Sequence, residues 1–423
     1  MQGSGGGRRL RSILGGSLGN LVEWYDWYAY SAGALYFAPA VFPPGDRGAQ
    51  LLNAAAVFAV GFFVRPLGGW LFGRQADRCG RRAALARSVG LMGLGSLLVA
   101  VTPTYQAAGL LAPAVLVGAR LLQGVSVGGE YGASATYLTE MAGARRRGFW
   151  SSFQYVTLIA GQLLALGVVL VLQRALSPAA LAAWGWRVPF VLGAAGALLV
   201  RLLRARLDET PAFARAGGPN GAPAGATLRA LARHPRAVAA VVGLTAGGTV
   251  AFYTFTAYAQ KFLVNSAGFT AAAATRVSAA SLAVFALLQP LVGLVSDRVG
   301  RRPVLVAFGV LGTLLTVPLL DALGSAGGAG RAFLLLVAAL AVVSGYTAVN
   351  AVVKAELFPV EVRALGVGFP YAVAVSLFGG TAEYLALWAR QAGRERWYFY
   401  YVALCVAGSL VVYLRLPETR GRD

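Results

Sequence analysis

The chain has 423 residues, of which 57% are hydrophobic and only 13% charged, about half the charged share of an average soluble protein. Its formal net charge is +21 at pH 7, but the arginines stand in short clusters between long apolar stretches, the pattern of loops beside a membrane and not of a nucleic-acid-binding face. Composition therefore excludes a soluble globular domain, and two isolated cysteines, Cys79 in a basic loop and Cys405 in an apolar stretch, exclude a disulfide framework.

A helix needs about 20 mostly apolar residues to cross a bilayer. The Gly- and Arg-rich segment up to Arg11 carries no small-residue cleavage site, so the apolar run after it reads as a first span and not as a removable signal. Twelve stretches qualify, at roughly 14–38, 52–76, 84–102, 108–139, 149–173, 184–205, 237–263, 273–296, 303–320, 331–355, 364–390 and 397–416. The longest polar stretch, about 206–236, holds Gly217, Gly218, Pro219, Asn220, Gly221 and Pro223 and reads as a flexible cytoplasmic linker. It separates an N-terminal six-span bundle, 1–205, from a C-terminal one, 237–423. Of the loop arginines, 25 fall on the side that holds the N-terminus and 8 on the other, which puts both termini in the cytoplasm.

The two halves repeat one another. After span two stands Gly73-Arg74-Gln75-Ala76-Asp77-Arg78-Cys79-Gly80-Arg81-Arg82, and after span eight Gly293-Leu294-Val295-Ser296-Asp297-Arg298-Val299-Gly300-Arg301-Arg302; Gly, Asp, Arg, Gly, Arg and Arg recur at an offset of 220. A second echo closes each half, Asp208-Glu209-Thr210-Pro211 and Pro417-Glu418-Thr419. Duplicated halves are a common plan for secondary transporters, with the substrate between them near the midplane.

The duplicated loop resembles the signature of the major facilitator superfamily. Gly19-Asn20-Leu21-Val22-Glu23-Trp24-Tyr25-Asp26, Arg65-Pro66-Leu67-Gly68-Gly69, and Arg120-Leu121-Leu122-Gln123-Gly124 running to Gly128-Gly129-Glu130-Tyr131-Gly132 are similar to its metabolite:proton symporter family. Ser152-Phe153-Gln154-Tyr155-Val156-Thr157-Leu158-Ile159, Phe252-Tyr253-Thr254-Phe255-Thr256, Lys354-Ala355-Glu356 and Gly379-Gly380-Thr381-Ala382-Glu383-Tyr384 resemble the α-ketoglutarate-transporting branch of that family, over nearly the whole chain. The resemblance implies an all-α membrane protein with twelve transmembrane helices in two pseudo-symmetric six-helix bundles. It implies proton-coupled import of α-ketoglutarate or a related dicarboxylate across a bacterial inner membrane by alternating access. The expected partners are a small organic acid and the bilayer, with no nucleic acid, no metal and no cofactor beyond the co-transported proton, in a monomer. Relatives that carry citrate, shikimate-like acids or proline- and betaine-type zwitterions share most of these motifs and remain the alternative.

An ionisable residue inside a span is disfavoured by roughly 2.5–3.5 kcal/mol and is by default a functional candidate. The candidates are Glu23 and Asp26 in span one, Arg65 in span two, Arg120 and Glu130 in span four, Lys261 in span seven, Lys354 in span ten and Glu383 in span eleven. Arg65 lies twelve residues before Asp77, about 18 Å along a helix and so near the midplane. A guanidinium there can grip a carboxylate by two parallel hydrogen bonds, or pair with an acid on a neighbouring helix. In sugar-type relatives an acid in span one pairs with the arginine of span four; here Asp26 or Glu23 would pair with Arg120, and protonating the acid would release the arginine. The only histidine, His234, is in the linker, so coupling must run through Asp26, Glu23, Glu130 or Glu383. Only two of the 37 basic residues are lysines. Lys261 can attract an incoming anion at the outer end of span seven, while Lys354 either snorkels to the surface or serves the site.

The expected substrate ligands are Arg65, Arg120, Lys261, Tyr258, Gln289 and Tyr371. The expected latch, bracing the cytoplasmic ends in the outward-open state, comprises Gly73, Asp77, Arg81 and Glu140 in the first half and Asp297, Arg301 and Glu356 in the second. Two Gly-x-Ser-x-Gly strings, Gly15–Gly19 and Gly124–Gly128, lack a strand-to-helix turn and a base; their glycines are expected to let helices approach closely. No His-Glu-x-x-His and no phosphate-binding loop occurs, so the energy is expected from an ion gradient. A sensor with a C-terminal coiled coil is not expected, because the sequence given stops six residues past Pro417.

Overall fold

The computed structural model describes residues 5–79, 81–141, 146–205, 231–359 and 363–421, the side chains of 5–18, 73, 74, 76–79, 81–85, 133, 134, 136–141, 204, 205 and 364 excepted. Twelve rods follow one another: α1 (Gly5–Val41), α2 (Arg47–Phe63 continued by Arg65–Cys79), α3 (Arg81–Ala100), α4 (Leu111–Met141), α5 (Arg147–Ala175) and α6 (Val188–Ala205), then α7 (Pro235–Asn265), α8 (Ala271–Val299), α9 (Arg301–Gly324), α10 (Ala329–Glu356), α11 (Arg363–Ala374 through Ala382–Gln391) and α12 (Glu395–Arg415). Ten helices among the described residues are long and apolar enough to cross a membrane, and Ala86–Ala100 is a shorter apolar helix. Leu199, Leu287, Leu314, Leu334 and Leu404 project outward from the bundle, as they should where the surrounding solvent is hydrocarbon.

Adding six to each helix number turns one half's contacts into the other's. The pairs α3–α6, α1–α5, α2–α4 and α3–α4 recur as α9–α12, α7–α11, α8–α10 and α9–α10. The same operation carries α5–α8, the largest contact between the halves, onto α11–α2, and α4–α11 onto α10–α5. The two six-helix bundles are thus related by a pseudo-two-fold, and the helices facing across it are α1, α2, α4, α5, α7, α8, α10 and α11.

Within the N-terminal half, α2 and α4 touch backbone to backbone. A Cβ on Gly124 would stand 1.9 Å from the Gly61 carbonyl oxygen, one on Gly128 1.9 Å from that of Arg65, and one on Gly68 2.0 Å from that of Val125. The Gly124–Gly128 string is therefore a packing device and locks Arg65 and Arg120 into one rigid unit.

Four of the helices facing the other half, α2, α7, α10 and α11, are irregular. Pro66 has no N–H to give, and α2 breaks at Val64. The Phe62 carbonyl then accepts from the Val64 N–H and from Ser376 Oγ on α11. Two segments, Thr254–Tyr258 in α7 and Val375–Gly379 in α11, are wound as π-helix, a form found mostly at functional sites. In α10 the winding stops at Thr347 and resumes at Asn350, whose Nδ2 donates to the carbonyls of Thr347 at 2.9 Å and Tyr346 at 3.3 Å. In lipid such freed carbonyls persist only where protein satisfies them.

The glycine contact predicts a matched pair of variants. Gly128→Ala should lose about 1–3 kcal/mol through overpacking, read as a lower melting temperature in detergent. Gly167→Ala, on α5 with nothing within 4 Å of its would-be Cβ, should melt at or slightly above wild type.

Candidate functional site

The site begins at the α2 break. Arg65 is only 2% exposed, with its guanidinium carbon 3.9 Å from the ring centre of Phe62, 4.2 Å from Trp27 and 5.4 Å from Trp24. The Tyr253 hydroxyl of α7 lies beside it. Nε and Nη2, the side-on fork of the guanidinium, have no hydrogen-bond partner among the described residues, and no described carboxylate pairs with the group. Among the described residues the fold does not build the alternative, a structural pair with a neighbouring acid. Aromatic faces hold the cation in place.

Arg120 stacks on the same indole, 3.8 Å from the Trp27 centre and 4.5 Å from Tyr30. The expected direct ion pair to α1 is absent among the described residues, and Gln123 stands between the two charges. Arg120 Nη1 donates to Gln123 Oε1 at 2.7 Å, and Gln123 Nε2 donates to Asp26 Oδ2 and to Ser96 Oγ. A carboxamide is acceptor on one side and donor on the other, so it fits between a guanidinium one turn away on its own helix and a carboxylate on α1. Asp26 is wholly buried. Its Oδ1 lies against α6, where a Cβ on Gly193 would come within 2.4 Å. Glu23 and Glu130 are buried as well.

Further along the same interface, Lys261 Nζ meets three acceptors: the Ser31 carbonyl at 2.7 Å, Ser31 Oγ at 2.9 Å and Glu383 Oε1 at 3.0 Å. Ser31 Oγ in turn donates to Glu383 Oε2 at 2.9 Å. One triad thus joins α1 of one half to α7 and α11 of the other. Lys261, expected as a substrate ligand, and Glu383, expected as a proton carrier, neutralise each other in this state. Tyr258 turns away from them, donating to Glu395 at 3.2 Å and packing on Tyr398.

The α10 break assembles the opposite wall. Asn350 Oδ1 accepts from Lys354 Nζ at 2.8 Å and from Tyr131 of α4 at 3.2 Å. Tyr131 stacks on Tyr371 of α11 at 3.7 Å, and Lys354 Nζ stands 4.0 Å over the Tyr371 ring. Lys354 is fully buried, so it does not snorkel. Gln289 lies behind this wall: Thr347 donates to its Oε1 at 2.8 Å, and its Nε2 reaches the Phe285 carbonyl, which buttresses the end of the first α10 segment.

At the end of the bundle that carries the repeated loop, the second copy closes onto the first half. Asp297 accepts from the backbone N–H groups of Gly148 and Phe149, both at 2.9 Å, at the start of α5. An anion belongs at a helix N-terminus. Arg301 Nη1 holds Asp297 at 2.7 Å, and its Nε is 3.9 Å from Glu356, which also accepts from Thr419 at 2.6 Å. Glu418, from the closing Pro-Glu-Thr echo, caps α9 by accepting from the N–H groups of Arg301 at 2.9 Å and Arg302 at 3.1 Å. The side chains of Gly73, Asp77, Arg81 and Glu140 lie outside the described residues. Ser31, Gln123 and Asn350 join the charged groups without having been singled out in the sequence. Their only signal there is spacing, Gln123 three residues after Arg120 and Asn350 four before Lys354, each one helix turn away.

A family profile described as "Sugar (and other) transporter" matches residues 13–242 and 225–423. The chain is 51% identical to the alpha-ketoglutarate permease of Escherichia coli K12, over 97% of this chain and 94% of that one. It is 33% identical to a citrate-proton symporter of Klebsiella pneumoniae, over 90% and 85%, and 31% identical to a glycine betaine/proline/ectoine/pipecolic acid transporter of Dickeya dadantii, over 98% and 85%. Among solved structures, the xylose transporter XylE of E. coli in a partially occluded inward-open conformation superposes with a TM-score of 0.74 at 21% identity, over 97% of this chain and 98% of that one.

The α9 cap yields a pH prediction. Partial burial would raise the Glu418 carboxyl, but backbone N–H groups of Arg301, Arg420, Arg302 and Thr419 outweigh it and hold the group below the ordinary glutamate value. A depressed folded-state value means stability that is present above the unfolded value, about 4.3, and is lost as pH falls through the folded one. Glu418→Gln should therefore melt below wild type at pH 7, with the gap closing as both are acidified below about pH 4.

Proposed function

The chain belongs to the sugar (and other) transporter family of the major facilitator superfamily, and from that membership we propose that it is a proton-coupled symporter importing α-ketoglutarate, or a closely related dicarboxylate, across a bacterial inner membrane with both termini in the cytoplasm. One observation carries the reading at the level of chemistry. A guanidinium 2% exposed, clamped by Phe62, Trp24 and Trp27, keeps its Nε and Nη2 donors unmatched among the described residues. Those two donors are the pair that grips both oxygens of one carboxylate. The relatives' names point to organic acids and zwitterions, all of which carry a carboxylate.

Coupling follows from charge. Moving one elementary charge across the membrane involves about 2.3 kcal/mol per 100 mV, and a dianion entering a negative interior alone faces about twice that. Two co-transported protons cancel the charge, and a third lets the potential assist. Asp26 is our proton carrier, with Glu23, Glu130 and Glu383 as the acids to test after it. When Asp26 takes a proton on Oδ2, the oxygen that accepts from Gln123, that oxygen becomes a donor and the Gln123 amide turns its own oxygen toward the acid. That turn presents Arg120 with an NH2 group in place of an acceptor and frees the guanidinium. Substrate and proton loading then act on one rigid unit, because Arg65 and Arg120 share Trp27 and the α2–α4 glycine contact. Alternating access moves that unit against the C-terminal half. The Asp297 cap on α5 and the Lys261–Ser31–Glu383 triad serve as the two contacts made and broken at opposite ends.

Two variants test this. A hydrogen bond to a charged group contributes about 1.5–3 kcal/mol, and a lysine cannot reproduce the fork. Arg65→Lys should therefore lose roughly 10–100-fold in α-ketoglutarate affinity, measured by binding in detergent; wild-type affinity would remove Arg65 from the site. In proteoliposomes with an imposed pH gradient, Asp26→Asn should abolish uphill accumulation while sparing exchange of labelled for unlabelled substrate, which moves no net proton. Accumulation at the wild-type level would send the search to Glu23, Glu130 and Glu383.

A further inference from the structure

Most buried cations among the described residues are accounted for by a nearby acid or its relay. Lys261 meets Glu383, Arg301 meets Asp297, and Arg120 shares Gln123 with Asp26. Lys354 has no such arrangement. It is 0% exposed, its ammonium makes one hydrogen bond, to Asn350 Oδ1 at 2.8 Å, and no described carboxylate pairs with it. Around it stand the rings of Tyr371 at 4.0 Å, Tyr131 at 5.5 Å and Tyr346 at 5.9 Å. Aromatic faces offset part of the desolvation of an ammonium. They do not replace the counter-charge that a fully buried lysine otherwise requires.

The placement of this cation bears on what it binds. It sits just beyond the α10 break, where the freed carbonyls of Tyr346 and Thr347 are taken by Asn350 Nδ2, the kind of interrupted helix that lines transporter binding sites. Its wall is shared by the two halves, because Tyr131 of α4 stacks on Tyr371 of α11 and donates to Asn350 of α10. The same tyrosines lie near Arg65: Tyr131 is one turn along α4 from Gly128, where a Cβ would meet the Arg65 carbonyl, and the Arg65 fork is unmatched among the described residues. One tyrosine patch therefore adjoins two buried cations on opposite halves.

We infer that Lys354 is the second carboxylate ligand: a dicarboxylate places one carboxylate on Arg65 of the N-terminal half and the other on Lys354 of the C-terminal half. This rests on the reading of Arg65 given above and adds what that reading lacks, the group that recognises the second charge. The substrate supplies the counter-ion that the fold withholds, and in doing so it ties the halves together. It also sets specificity. A monocarboxylate satisfies Arg65 alone and leaves Lys354 unpaired, so discrimination comes from a stranded buried charge rather than from a steric wall.

The test compares α-ketoglutarate with 2-oxobutanoate, which lacks the distal carboxylate, by binding to the purified full chain in detergent. Lys354→Met, an apolar replacement of similar volume, should weaken α-ketoglutarate by roughly 10–100-fold and leave 2-oxobutanoate within about twofold of wild type. A Lys354→Met protein that keeps the wild-type preference for the dicarboxylate overturns the inference and leaves the Arg65 reading standing. Equal loss for both ligands also overturns it, as a structural effect. A wild-type protein that binds neither ligand overturns both readings. A second measurement needs no change at Lys354. The chain has only two lysines, so protein labelled with ¹³C at lysine gives two side-chain signals, and Lys261→Arg assigns them. Titration with α-ketoglutarate should move the Lys354 signal and 2-oxobutanoate should not; a Lys354 signal indifferent to the dicarboxylate overturns the inference on the intact site.

Discussion

An ionised side chain taken out of water must be met by opposite charge or by oriented dipoles, and hydrocarbon offers neither. The centre of this molecule is organised by that constraint. Four cations, Arg65, Arg120, Lys261 and Lys354, are at most 2% exposed, and they receive three different treatments. Lys261 has a direct carboxylate, Arg120 is joined to Asp26 through one carboxamide, and Arg65 and Lys354 have rings for walls. The first is a closed ion pair and the second a pair joined through a neutral amide, while the third, on the reading proposed above, is a demand for an anion. A gradient from satisfied to unsatisfied charge along one interface is what a transport site requires, since a fully satisfied centre would have no affinity for cargo and a fully unsatisfied one would not fold.

The same contrast separates what is rigid from what must move. Inside the N-terminal half, α2 and α4 meet through glycines at distances that no side chain tolerates, and such interdigitated backbone does not slide. Between the halves the polar contacts are local and replaceable: Ser376 on the carbonyl that Pro66 frees, Tyr131 on Asn350, Lys261 on Ser31, Asp297 on two N–H groups of α5. Each lost bond can be remade with water or with substrate when the interface opens. The irregular windings of α2, α7, α10 and α11 all fall on helices that face the other half, so strain and freed carbonyls are kept at the surface that has to change partners.

The architecture was legible in the sequence because its signals are long-range and redundant. Apolar stretches of span length, a loop repeated at a fixed offset and a lopsided distribution of arginine each report the same plan. The burial of Arg65 was legible too, since a guanidinium about 18 Å from a helix end has little choice of environment. The relay was not. Gln123 is one polar residue among many in apolar sequence, and an acid in α1 with an arginine in α4 reads as a direct pair until the side chains have positions. The α10 break gives no warning, because Ala348 and Val349 carry neither proline nor glycine, and what holds it is an asparagine bonding to its own preceding turn. Tyr258 shows the converse failure: an aromatic at a plausible height whose hydroxyl is already committed to Glu395. Height along a helix is written in the sequence, whereas azimuth near a π-wound segment is not.

Composition carries one further lesson about the chemistry of the two lysines. Every other Lys/Arg position of this chain is arginine, so lysine at two buried positions calls for a physical reason. At Lys261 the reason is geometric. Three acceptors at 2.7, 2.9 and 3.0 Å surround one nitrogen, which matches the three donors of a single ammonium. A planar guanidinium spreads its five donors over a fork and could not direct three of them to one point. At Lys354 the surroundings are rings on three sides and one carboxamide, a space for a compact point charge whose remaining donors are free to rotate toward a ligand. Arg65 needs the opposite properties, a flat surface to stack between aromatics and a fork fixed in one plane. The proposed site thus pairs a rigid, directional cation on the half that carries Asp26 and Gln123 with a compact, adjustable one beside the α10 break of the other half. A substrate with two carboxylates separated by a flexible chain would meet one ligand that dictates its orientation and one that adapts to its length.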